Sequence, residues 1–297
     1  MRLWPAAFVI AAIASSPAPA ASSPGAGAAS AVRFGAWTET SFGSYLAPLG
    51  PFVGADGGVD VVFHFHGAMN ADKEWRASGV RAVIVNADLG GMSSAFADAM
   101  QDPRRLDDML AEVLLSLQKR MARGDLHPRR LAIVSFSAGY PAAARALESD
   151  LKGRIDAVFL LDSLHAPYVD AIPPGASDHG IPFRHLIDEG PLAPFIRFGR
   201  DAVLGKKLMV VTHSAILPPD YGSTTEAAFA IAHAIDARIE EKSGKTARGM
   251  YESDVSDAGG FHMRGYWGAS GADHLAHLAF VGDLVPEWLV RRWNGGG

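Results

Sequence analysis

The sequence predicts an α/β protein in which a mostly parallel central sheet is covered by helices on both faces. Apolar runs of strand length recur at 59–66, 81–86, 131–136, 155–161 and 207–212. They are too short for helices and too uniformly apolar for a sheet with one face in water. Between them lie segments with helical spacing. The clearest is 103–123, where Leu106, Met109, Leu110, Val113, Leu114 and Leu117 recur at steps of three and four. Strands alternating with helices at this interval are the pattern of successive βαβ units.

In chain order, residues 1–20 place Arg2 before an apolar segment at 3–13 and end in Ala18-Pro19-Ala20, a small-x-small cleavage pattern. This predicts a signal peptide cut after Ala20 and a secreted or periplasmic protein. The apolar segment is too short to cross a bilayer, and no later run is longer, so no transmembrane helix is expected. The chain has no cysteine, which excludes both a disulfide framework and a lipid-modified cysteine anchor. Residues 21–31 are Ala, Ser, Gly and Pro and are expected to form a flexible lead-in. Residues 32–297 then supply one large α/β domain. Almost half of the sequence is apolar, 48%, and its net charge of −5 leaves no basic footprint for nucleic acid.

Within that domain, 32–38 and 43–46 are expected to be short strands, with a Gly/Pro-rich connection at 50–58. The next strand, 59–66, ends at Gly67, and 81–86 follows as another. Pro103 suits the first turn of the long helix. A strand at 131–136 precedes a helix at 141–151, and the strand at 155–161 ends at Asp162. A strand at 207–212, a helix at 224–242 and a last strand within 261–267 complete the set. Residues 163–205 break this rhythm with Pro167, Pro173, Pro174, Pro182, Pro191 and Pro194. A segment that long between two core strands reads as an inserted lid or cap.

The element around which the rest is organised is Leu-Ala-Ile-Val-Ser-Phe-Ser-Ala-Gly at 131–139. Ser-x-Gly occurs three times, at Ser23, Ser41 and Ser137, but only Ser137 follows a strand-like run and precedes a helix-like one. A serine on so tight a strand-to-helix turn has an exposed hydroxyl and a helix N-terminus behind it, which favours developing negative charge. This arrangement resembles the nucleophile elbow of the α/β-hydrolase superfamily of serine esterases and lipases, with one departure. The usual pattern is Gly-x-Ser-x-Gly, and here Ser135 stands at the first, necessarily small, position.

The resemblance implies a Ser, acid, His order along the chain and an α/β-hydrolase-like fold over most of 59–290. A serine hydroxyl needs a histidine to take its proton and a carboxylate to orient that histidine. His274, in Gly271-Ala272-Asp273-His274-Leu275-Ala276-His277, is the expected base, with His277 one helical turn later in reserve. Asp162, at a strand end, is the expected acid, with Asp220 the alternative after the later strand. For the oxyanion, the backbone amide of Ala138 is one expected donor. The second is Ala68, or Met69, after the His66-Gly67 pair that resembles the His-Gly segment of esterases. No cofactor is called for. The expected substrate is a small or polymeric acyl compound, cleaved at an ester or amide bond.

Two other readings follow from the same residues. His64 and His66 lie on one face of a strand and could hold a metal with a third ligand from His165, His213 or His274, giving a metal-dependent hydrolase. Alternatively, an α/β-hydrolase-like fold could serve only for binding, its serine not activated.

Overall fold

A hairpin opens the part of the chain that the computed structural model describes, residues 32–169 and 187–295. The expected signal peptide, the expected lead-in and residues 170–186 of the expected insertion lie outside the described residues. In order, the hairpin strands β1 (Phe34–Thr40) and β2 (Gly43–Pro48) are followed by β3 (Gly58–Phe65), α1 (Asp72–Ala77), β4 (Val83–Ala87), α2 (Ser93–Ala99), α3 (Arg105–Met121) and β5 (His127–Phe136). Next come α4 (Tyr140–Ala146), β6 (Ile155–Leu161), α5 (Ala193–Val203), β7 (Leu208–His213), α6 (Thr224–Ala234), β8 (Glu240–Lys245), β9 (Tyr251–Ala258) and β10 (Phe261–Tyr266). The chain closes with α7 (Gly271–Ala276), a 3₁₀ turn (His277–Phe280), α8 (Val281–Leu284), a π-helical stretch (Val285–Val290) and α9 (Arg291–Trp293).

These strands form one ten-stranded sheet in the order β1-β2-β4-β3-β5-β6-β7-β10-β9-β8. The six strands from β4 to β10 are parallel to their neighbours, and they are the apolar runs of the sequence, buried on both faces. The outer pairs are antiparallel, so the expectation of a mostly parallel sheet is corrected to a mixed one. Strand β8 shows why the pattern missed β8 and β9. Its Glu-Glu-Lys-Ser-Gly-Lys is exposed along its whole length, as a lysine-bearing edge strand is, and carries no apolar alternation.

Both faces are covered. Helices α2 to α6 pack on one through Phe96, Leu106, Ala142, Phe195 and Ala227. Trp75 of α1 and the C-terminal segment from Leu278 to Trp293 pack on the other. Helix α6 starts at a capping box between Ser223 and Glu226 but stops at Ala234 rather than 242, because Asp236 takes a left-handed backbone (φ 57°) that ends the helical turn. The second half of the expected insertion is also corrected. Pro191 and Pro194 occupy first turns of a 3₁₀ segment and of α5, where proline is tolerated, and α5 buries Phe195, Ile196, Phe198 and Ala202 in the main core. No helix among the described residues is long and apolar enough to cross a membrane.

Candidate active site

Three neighbouring strands end in the same unusual way. After β3, β5 and β6 the chain passes through His66 (φ 68°), Ser137 (φ 50°) and Asp162 (φ 46°), each in the left-handed region that side chains other than glycine avoid. Each such residue costs on the order of 1–3 kcal/mol, a cost that persists only where the surroundings impose it.

At Ser137 those surroundings can be named. Gly139 passes so close to β3 that a Cβ there would lie 2.5 Å from the carbonyl oxygen of Phe65. On the other side the hydroxyl of Ser163 donates to the carbonyl of Ser137 at 2.9 Å. With that proton committed, Ser163 Oγ accepts from Ser135 Oγ at 2.6 Å. Ser135 is therefore more than small. Its hydroxyl is the buried end of a relay that braces the turn, and this is a physical reason for serine where the resemblance implies glycine.

Asp162 and His274 meet. Nδ1 of His274 lies 2.6 Å from Oδ2 of Asp162, while Oδ1 accepts from the backbone amide of Ser214 at 2.9 Å and from the hydroxyl of Thr224 at 2.5 Å. Burial alone would raise the pKa of this carboxyl. The hydrogen bond from His274, the charge on His277 and the Thr224 hydroxyl together hold it well below the usual carboxylate range. A carboxylate accepts, so Nδ1 of His274 carries the proton and Nε2 is left with a free lone pair whenever the ring is neutral. Helix α7, capped by Ser270 and Asp273, carries the ring. The Phe136 side chain stacks on it at 4.6 Å and on His66 at 5.8 Å, forming a stack of three rings beside Ser137.

The alternatives sit elsewhere. Asp220 is exposed and makes no hydrogen bond among the described residues. His277 is fully buried with Nδ1 2.7 Å from the Thr212 hydroxyl, and burial lowers its pKa to about 4. His64 is also fully buried, and its Nδ1 lone pair accepts from the indole of Trp75 at 3.0 Å; burial lowers its pKa to about 3. His66 instead packs edge-on against Phe96 and face-on against Phe136. Among the described residues no three His, Asp or Glu side chains converge as a metal would need.

Ala68 is buried, and its amide has no hydrogen-bond partner among the described residues. Gly67 (φ 89°) makes the approach, since a Cβ there would lie 3.1 Å from Leu278 and 3.3 Å from Phe136. The amide of Ala138 belongs to the first turn after Ser137, where helical amides have no partner of their own. No hydrogen bond joins Ser137 Oγ to Nε2 of His274 in this structure. On the loops after β3, β7 and β10, Met69, Leu217, Tyr221 and Trp267 are exposed, as is Leu275 of α7. Ser163, Ser214, Thr224 and Phe136 are the participants that sequence reasoning missed. Of these only Thr224 had a signal, the Ser-x-x-Glu capping box that starts α6.

No family model matches the sequence, and neither does any curated protein. Among solved structures, a crystal structure of the carboxylesterase CesB (YbfK) from Bacillus subtilis aligns over 90% of this chain and 92% of its own, with 10% identity and a TM-score of 0.39.

Proposed function

We propose that the protein is a serine hydrolase of α/β-hydrolase type that cleaves esters through an acyl-enzyme, exported to the periplasm or beyond. One observation carries the proposal. A buried carboxylate, Asp162, holds the Nδ1 of His274 at 2.6 Å beside a serine kept in a left-handed turn at the end of the adjacent strand.

In this reading Ser137 Oγ attacks the substrate carbonyl while His274 Nε2 takes its proton. The amides of Ala138 and Ala68 receive the oxyanion. His274 then gives the proton to the leaving alcohol, and water attacks the acyl-enzyme by the same route in reverse. Asp162 keeps the ring in one tautomer and stabilises the imidazolium. The Ser137–His274 hydrogen bond has to close when substrate binds, as such bonds often do only in the complex. The exposed apolar side chains of the surrounding loops suit an apolar acyl group. That open bond is also what favours a non-catalytic binding protein as the second reading.

Fluorophosphonate labelling separates the two readings. Wild-type protein should be labelled once, at Ser137, and should hydrolyse p-nitrophenyl esters in EDTA. Ser137→Ala should lose both label and activity while unfolding at nearly the same temperature. An unlabelled wild type, or a Ser137→Ala variant with more than a trace of activity, would overturn the proposal.

A further inference from the structure

A second buried histidine–carboxylate pair lies beyond the first. His213 ends β7 and Asp254 belongs to β9, with β10 between them. Nε2 of His213 nevertheless lies 3.0 Å from Oδ1 of Asp254, and both residues are buried. Gly265, in register with His213, permits this. A Cβ there would stand 2.2 Å from Asp254 Oδ2 and 2.5 Å from the His213 ring, so the pair reaches across β10 only because that residue has no side chain.

The other ring nitrogen points back towards the candidate site. Nδ1 of His213 is 2.9 Å from the hydroxyl of Thr225, and that hydroxyl donates to the carbonyl of Ser214 at 2.7 Å. The Thr225 hydroxyl thus links the His213 ring to the Ser214 carbonyl. Ser214 in turn donates its amide to Oδ1 of Asp162, and Thr224, next to Thr225, donates to the same oxygen. Both donors that aim Asp162 thus stand on backbone that the His213–Thr225 contact fixes.

We propose that His213 and Asp254 are positioning residues that act through Thr225 to clamp Ser214 and the first turn of α6, and so aim the carboxylate of Asp162 at His274. This rests on the reading of Ser137, Asp162 and His274 as the triad. Neither residue touches the reacting atoms, so the effect belongs in kcat and not in KM.

The test removes the hydroxyl link alone. Thr225→Val should lower kcat on the order of tenfold with KM unchanged, short of the roughly 10²-fold that a displacement of about 1 Å can cost. Thr225→Ser, which keeps the hydroxyl, should restore it. The low-field proton resonance of the His274 Nδ1–H should shift or broaden in Thr225→Val and return in Thr225→Ser. Asp254→Asn should match Thr225→Val if it folds; if it does not, the Thr225 pair decides. A Thr225→Val variant with a lowered Tm and wild-type kcat would make the second pair purely structural and overturn the inference. Ser137→Ala distinguishes the two levels. If it is inactive while Thr225→Val is unimpaired, only the clamp fails; if it stays active, the triad and the clamp fail together.

Discussion

The two ends of β3, β5 and β6 are built on opposite principles. At the amino ends the strand carboxylates are paired. Asp60 of β3 accepts two hydrogen bonds each from Arg129 and Arg130 of β5, and Asp156 of β6 is held by Arg292 and the indole of Trp293. Arg130 also caps the Trp293 carbonyl and lies 4.9 Å from that ring's centre. At the carboxyl ends the same strands run into left-handed residues and, among the described residues, an amide at Ala68 and a buried Nε2 of His277 that have no hydrogen-bond partner. One end relaxes its polar groups in pairs, and the other holds them in tension. The left-handed residues gather at the carboxyl ends of these parallel strands, the end at which open α/β sheets bind ligands.

Exchanging one carboxylate at each end breaks or supports this contrast. Asp162→Asn should lower kcat on the order of 10⁴, the loss met when the acid of a serine triad becomes its amide, and should lower Tm too, because the depressed carboxylate contributes stability near neutral pH; Asp220→Asn should be nearly wild type. The reverse pattern in steady-state kinetics would return the acid to the later strand. At the amino end, Asp60→Asn should leave kcat intact and cost about 2 kcal/mol of stability in urea unfolding, since it unpairs a buried carboxylate from two half-exposed arginines. A catalytic defect there would abolish the division between the two ends.

Acid should remove stability in two windows. His64 and His277 have folded pKa values, about 3 and about 4, below the unfolded value near 6.5. The unfolded chain therefore binds more protons, and stability falls as pH drops below about 6.5, by up to about 1.4 kcal/mol per pH unit for each histidine. Asp60 and Asp162 are depressed as well, so their contributions are present above about pH 4 and are lost below it. Thermal melts of wild type, His64→Gln and His277→Gln between pH 7 and 4 read the first window. An unchanged slope in both variants would show that neither ring stays neutral. The smallest effect belongs to Ser135→Ala, which should cost about 1 kcal/mol and change kcat only a few-fold. If a glycine at that position raised kcat, the Ser135–Ser163 relay would not be bracing the turn.

What could be read in advance follows burial. Strands β3, β5 and β6 are legible because two wet-free faces demand unbroken apolar runs, and Ser137 is legible because a lone small polar residue interrupts such a run before a helix. His274 and Asp162 follow from strand ends and from the resemblance. The relay through Ser135 and Ser163, and the hold of Thr224 on Asp162, join residues 28 and 62 positions apart. No local period encodes such meetings; they exist only once the strands are in register. The carboxyl end of α6 and the strands β8 and β9 were illegible for the opposite reason, because solvent tolerates almost any side chain there.

The separation of Asp162 and His274, 112 residues, bears on the order in which the molecule is assembled. The turn at Ser137 joins elements adjacent in sequence, and Asp162 arrives with the next strand, so both can form within a local unit. His274 reaches them only after β7 and β10 are laid down and a long loop has been closed, an entropic cost that depends on chain length and is met late. A chain folded only through β6 would hold Ser137 and Asp162 without the His274 ring that meets Asp162 in the complete fold.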